Sequence, residues 1–99
     1  MGRLRSELDN KVAAFRAMMG LTQEQLAQAV HVSRQTIVAL EGGLYSPSTV
    51  LALRLSILLD TTVNNLFQLP EEALSDLQRQ KEHIAENRRK QQEGYLQQQ

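Results

Sequence analysis

Apolar residues recur at helical spacing through most of the first 69 positions, in short runs separated by capping and turn-forming residues. Leu8, Val12, Phe15 and Met19 share one face of a helix predicted over about Ser6–Met19, which Gly20 ends. A second helix is expected from Gln23 to about Val30 and a third from Arg34 to about Glu41, with Gly42 and Gly43 as the stop. Thr22 and Ser33 precede these two helices. Each can accept a hydrogen bond from an orphan backbone N–H of the first turn. Ser48 is placed to cap a fourth helix, in which Leu51, Leu55 and Leu58 form a stripe that Ala52, Ile57 and Leu59 widen. Asp60-Thr-Thr leads into a short fifth helix that turns Val63, Leu66 and Phe67 inward. No segment shows the two-residue alternation of a strand. The Met18–Met19 pair reads as core filler. The fold class is all-α: a five-helix domain over residues 1–69, followed by a helical, fraying tail.

That tail begins where the composition changes, at Leu69-Pro70. Pro70 followed by Glu71 and Glu72 suits a helix start, with proline in the first turn and acids near the positive end of the dipole. Strong helix formers continue to Arg89, but apolar residues are few: Ala73, Leu74, Leu77 and Ile84. Leu77 and Ile84 lie seven apart, yet Lys81 and Arg88 take the alternate positions of that seam. Two readings follow, a solvated helix fraying into the glutamine-rich end, or a helix that docks on the domain or pairs with a second copy. Residues from Glu93 to Gln99 are expected to be disordered. Residues 70–99 therefore form a second segment, a polar C-terminal helix and tail.

The second and third helices and the tight turn between them are the most specific feature. Leu26, Val30, Ile37 and Leu40 sit where two steeply crossing helices need apolar contacts, Val32 plugs the turn, and Ala27 is small at the closest approach. Arg34, Gln35 and Thr36 are left facing outward at the start of the third helix, as polar side chains entering a DNA major groove would be. The words Leu21-Thr-Gln-Glu-Gln-Leu-Ala and Val32-Ser-Arg-Gln-Thr-Ile resemble the helix-turn-helix of the Cro and phage-repressor (XRE) family of bacterial DNA-binding regulators. The resemblance runs from Asn10 to about Phe67. It takes in Glu41-Gly-Gly-Leu-Tyr-Ser-Pro-Ser48, similar to the linker after the recognition helix, and Thr62-Val-Asn-Asn-Leu-Phe67, similar to the closing short helix.

The resemblance implies a role for each matching position. Gln23 should hydrogen-bond a phosphate and support the recognition helix. Arg34 and Gln35 should meet base edges, since arginine suits guanine and glutamine suits adenine. Ser33 and Thr36 should touch phosphate or adjacent bases, Val38 and Ala39 a thymine methyl, and Tyr45 the sugar-phosphate backbone. Arg16 and Glu41 should form an internal ion pair. The partners implied are a double-stranded DNA operator and a second copy, with the dimer contact near the fifth helix, around Asn64–Leu69. In one respect the sequence departs from the pattern: the turn usually carries glycine, and here it carries His31. Histidine is among the non-glycine residues enriched at positive φ, so His31 reads as a turn residue rather than a metal ligand or pH sensor.

Composition changes this picture only in part. The 99 residues contain no cysteine, which excludes thiolate chemistry and a disulfide framework and suits a reducing cytoplasm. Two tyrosines and two phenylalanines are too few for a platform that stacks single-stranded bases. No apolar run could span a bilayer and no signal peptide is evident. The start Met-Gly-Arg-Leu-Arg-Ser formally fits a myristoylation pattern but reads as chance, with Arg3 and Arg5 as a basic arm. His31 and His83 lack the partners that acid–base or nucleophilic catalysis requires, and no cofactor or metal is indicated. An enzyme is not expected.

Net charge is zero, with eleven cations and eleven acids, low for a protein that attracts phosphates. DNA binding would then rest on a few placed cations, backbone N–H groups and helix N-termini. The favoured expectation is a dimeric, sequence-specific repressor that works on the nucleoid. Two alternatives stay open: an antitoxin-type autoregulator whose tail binds a toxin protein, and a protein-binding module with the same fold.

Overall fold

Four consecutive helices end in the same way, and those endings set the shape of the first 69 residues. In the computed structural model, which describes residues 7–98, the elements are β1 (Asp9–Asn10), α1 (Val12–Met18), α2 (Gln23–Ala29), α3 (Arg34–Glu41), α4 (Thr49–Leu58), α5 (Val63–Leu66), β2 (Phe67–Gln68) and α6 (Glu71–Gln98). Helices α1 to α4 close with a left-handed residue: Gly20 (φ 71°), His31 (64°), Gly43 (76°) and Asp60 (53°). In each case the next amide donates back across the last turn, Leu21 to Arg16, Val32 to Ala27, Leu44 to Ala39 and Thr61 to Ser56, at 2.9–3.2 Å. The left-handed residue's own N–H meets a carbonyl three positions back. This Schellman pattern satisfies carbonyls that a helix end would leave bare and turns the chain sharply. It lets four short helices pack around one core.

The helix starts follow from local chemistry. Thr22 accepts from the Gln25 N–H while the Gln25 side chain returns a bond to the Thr22 N–H, a complete capping box. Ser33, Ser48 and Thr62 accept from Thr36, Leu51 and Asn65, capping α3, α4 and α5. The core joins Val12, Leu26, Val30, Ile37, Leu40, Leu55 and Leu66, each at most 1% exposed. Val32, at the turn, is half-buried against it.

Three expectations need correction. The first helix does not start at Ser6 but at Val12, because Asp9 and Asn10 pair antiparallel with Gln68 and Phe67 in a two-residue ladder. The Asn10 side chain accepts from the Val12 N–H and donates to the Leu40 carbonyl, and Lys11 donates to the Leu66 carbonyl. The start of the domain is thereby pinned to its end, and the chain there must be extended. Met18 and Met19, expected as core filler, lie outside the core, 77% and 48% exposed, in the last turn of α1 and at its cap. Ile57 does not widen the buried stripe of α4; it is 80% exposed, with Val50 and Leu53 also exposed on that helix. Leu51, Ala52, Leu55 and Leu59 are buried as expected; apolar residues also lie off that face of α4, which is why the pattern misplaces Ile57.

The chain divides at Leu69–Pro70 into two units. The second is α6, whose backbone is helical as far as Gln98, past the Glu93 at which order was expected to end. Glutamate, glutamine, lysine and arginine all favour helix, which supports the longer run. Arg3 and Arg5 lie outside the described residues.

Candidate nucleic-acid interface

Helix α3 presents two faces. Ile37 and Leu40 are buried, Thr36 and Ala39 are half-buried, and Arg34, Gln35 and Val38 are exposed. Positions 34, 35 and 38 are neighbours on a helix surface, so they form one outward patch that starts at the helix N-terminus. Ser33, exposed at the cap, shares a 2.9 Å bond between its hydroxyl and that of Thr36. These two side chains are therefore held together at the mouth of the helix. Tyr45 stands apart, in the loop between α3 and α4, about one-third exposed.

The inner side of this arrangement is anchored by charge. Arg16 of α1 grips Glu41, the last residue of α3, with two bonds: Nε to one carboxylate oxygen at 2.7 Å and Nη2 to the other at 3.1 Å. Its remaining terminal nitrogen donates to the Leu21 carbonyl at 2.9 Å. The side chains are 19% and 7% exposed, so the pair is largely out of water. The hydrogen bonds it donates to Glu41 hold the guanidinium more firmly protonated than usual; burial acts the other way, and the carboxylate charge adds to the hold. The ion pair expected from the family resemblance is present. A carboxylate at a helix C-terminus faces the negative end of the dipole, and Arg16 compensates for that placement.

The resemblance gave Gln23 a supporting role for the recognition helix but did not name its partners. Its amide donates to Glu41 at 3.0 Å, and its carbonyl lies 3.5 Å from an Arg34 terminal nitrogen, a long contact. A chain of polar contacts thus runs from Arg16 through Glu41 and Gln23 to the outward face of α3. The only sequence signal was that Gln23 opens α2 directly after the segment that Arg16 binds. Arg54 supports the other end of the motif, donating to the Val30 carbonyl at the close of α2, at 3.4 Å. His31 occupies the left-handed turn, as the reading of that turn required. Among the described residues no cluster of acids and histidines could hold a metal ion, and no helix is long and apolar enough to cross a membrane.

Two short helices joined by a left-handed turn, with a rigidly held second helix and a polar outward patch at its N-terminus, define the helix-turn-helix class of DNA-binding folds. The model of the helix-turn-helix family matches residues 12–66, and the chain belongs to that family, in its XRE-type transcriptional-regulator branch. It is 50% identical over 62 residues to an uncharacterized HTH-type transcriptional regulator of Methanothermobacter thermautotrophicus, covering 62% of this chain and 90% of that protein. It is 42% identical over 65 residues to the uncharacterized HTH-type regulator YgzD of Bacillus subtilis, covering 66% of this chain and 98% of YgzD. Among solved structures, the restriction-modification controller protein C.AhdI of Aeromonas hydrophila superposes with a TM-score of 0.53 at 32% identity, over 57% of this chain and 85% of its own. The clp gene regulator ClgR of Corynebacterium glutamicum does so with 0.53 at 33% identity, over 76% and 79%. Helix α6 lies beyond the family match.

Proposed function

We propose that this chain is a sequence-specific repressor that binds a two-fold operator as two copies, with α3 in the major groove. The observation that carries the reading is the outward patch of Arg34, Gln35 and Val38 on a helix clamped by Arg16–Glu41. A reader must hold its side chains in a fixed pose, and that helix cannot rotate without breaking the clamp. Arg34 is suited to a guanine edge and Gln35 to an adenine edge, with Val38 and the half-buried Ala39 towards a thymine methyl. The Ser33–Thr36 hydroxyl pair lies at the N-terminus of α3, where phosphate oxygens are favoured. Tyr45 reaches the backbone from the following loop. Gln23 keeps one amide N–H beyond the bond to Glu41, enough for one phosphate contact, and it braces Arg34 as well.

Two copies are needed because the domain carries little positive charge. Before Pro70 it has six cations against five acids, and the Arg16–Glu41 pair cancels one of each. Two helices on one operator would read half-sites roughly 34 Å apart, about one turn of DNA.

Binding each variant to a randomised duplex library at two salt concentrations tests the assignment. Arg34→Ala and Gln35→Ala should each relax preference at one base position per half-site and cost about 1–3 kcal/mol. Tyr45→Phe should weaken all sequences nearly equally, because phosphates carry no sequence information; Gln23→Ala should add to such a uniform loss a smaller loosening at the Arg34 position, whose contact it removes. If both α3 substitutions leave affinity and preference intact, α3 is not the reader. Absence of any salt-dependent duplex binding would favour a protein-binding module built on the same fold.

A further inference from the structure

Helix α6 carries a face that the DNA reading leaves unused. At about 100° per residue, Leu74, Leu77, Lys81, Ile84 and Arg88 fall within roughly 80° of arc. Leu77, Lys81, Ile84 and Arg88, with Gln80 and Ala85, line one shallow depression along the helix. The three large apolar residues are about half exposed: Leu74 47%, Leu77 53% and Ile84 57%.

The distribution of charge on α6 is one-sided. Its six acids are Glu71, Glu72, Asp76, Glu82, Glu86 and Glu93. The nearest, Glu71, lies about 60° from the edge of the apolar arc at Leu74, and the other five lie about 80° or more away on the helical projection. Two of them are already engaged along the helix, Asp76 with Arg79 at 3.3 Å and Glu86 with Lys90 at 3.6 Å. Lys81 and Arg88 thus stand between the apolar residues, and among the described residues neither is in an ion pair, although Glu82 borders Lys81 on the side away from the arc.

We infer that this face docks on a second, different protein, whose surface offers an apolar groove bordered by carboxylates. The charge pattern selects that occupant over the others. Pairing with α6 of another copy would bury Lys81 and Arg88 in a seam that contains no acid, in parallel or antiparallel order, and like charges there are repelled. A DNA duplex or an anionic membrane would meet two cations on this face, but also the six acids and three cations around the rest of the helix, a net repulsion. A carboxylate-rimmed apolar groove pairs both cations and covers Leu74, Leu77 and Ile84, the arrangement of an amphipathic helix laid in a groove. This inference stands apart from the DNA reading, since it uses residues outside the family match.

The test uses the full chain and a defined probe. A fluorescent synthetic helical peptide carries a leucine stripe flanked by glutamates; its counterpart has lysines in their place. The full chain should bind the glutamate peptide at least tenfold more tightly than the lysine peptide. Lys81→Glu with Arg88→Glu should abolish that preference, whereas Arg79→Gln with Lys90→Gln, on the other side, should leave it intact. Circular dichroism checks that each variant keeps its helix. The inference is overturned if the two peptides bind alike, if the face substitutions change nothing, or if anionic vesicles or duplex DNA compete through Lys81 and Arg88. Sedimentation showing self-association that Leu77→Ser with Ile84→Ser abolishes would also overturn it, assigning the face to a second copy instead. Operator binding, measured separately, should be the same in all these variants.

Discussion

Replacing Glu41 by alanine is the most direct probe of what fixes the reading helix. The substitution removes two bonds from Arg16 and one from Gln23, at 2.7, 3.1 and 3.0 Å. An exposed ion pair is worth about 0–1 kcal/mol, and breaking a buried one by deleting a single partner costs about 3–5 kcal/mol. This pair lies between those limits. The Glu41 side chain is only 7% exposed, so its loss leaves a poorly hydrated site. Arg16, however, is 19% exposed and keeps its bond to the Leu21 carbonyl, so water can reach part of the stranded charge. Loss of an acid from the C-terminal end of α3 also relieves about 0.3–1 kcal/mol of unfavourable dipole interaction. The net cost should then be about 2–3 kcal/mol. For a cooperative unit of this size, that lowers the melting temperature by roughly 8–24 °C.

Urea unfolding of the full chain, followed by circular dichroism, measures the change against a common α6 background. Arg16→Ala and the double variant complete a cycle, and a coupling energy of at least about 1 kcal/mol should emerge. Because the folded state holds Arg16 more firmly protonated than the unfolded chain does, its contribution is complete below the ordinary arginine range. It disappears only as pH rises through the still higher folded value. The Arg16 contribution should therefore be level across about pH 5–10. A Glu41→Ala variant within about 0.5 kcal/mol of the parent, or a coupling near zero, would refute the reasoning.

Other consequences are separable. His31→Gly should stabilise the domain by a few tenths up to about 1 kcal/mol, because glycine holds φ 64° without the Cβ penalty; unfolding and operator binding of the same variant check that only stability changes. Asn10→Ala should free the start of α1, since it removes both the bond to Val12 and the one to the Leu40 carbonyl; amide exchange at Lys11 and Val12 should quicken together. Truncation after Leu69 should leave the base preference of the library assay unchanged, while sedimentation of the same fragment reports whether assembly requires α6; a changed preference would place part of the reader beyond α5.

Capping was legible in the sequence because it is local. Thr22, Ser33 and Ser48 lie within three residues of the amides they satisfy, and the spacing of Leu26, Val30, Ile37 and Leu40 already states which sides of α2 and α3 must meet. The left-handed turn at His31 could be read by the same logic, from its place between two capped helices. Asp60 takes the same conformation after α4, but nothing beside it marked the turn as clearly. Distance along the chain explains most of what was missed. The ladder of Asp9–Asn10 with Phe67–Gln68 joins segments nearly 60 residues apart, and no pattern within either segment encodes it. The contact of Gln23 with Glu41 spans 18 positions and exists only once α1 has delivered Arg16 to the end of α3. Helix α4 is the plainest case. Its stripe of Leu51 and Leu55 was legible and is buried, but apolar residues also lie off that face, and only the tertiary packing decided that Val50, Leu53 and Ile57 meet solvent. Local hydrogen bonding and periodicity are written residue by residue. The choice among equally apolar faces is settled by which neighbours arrive, and that belongs to the tertiary structure.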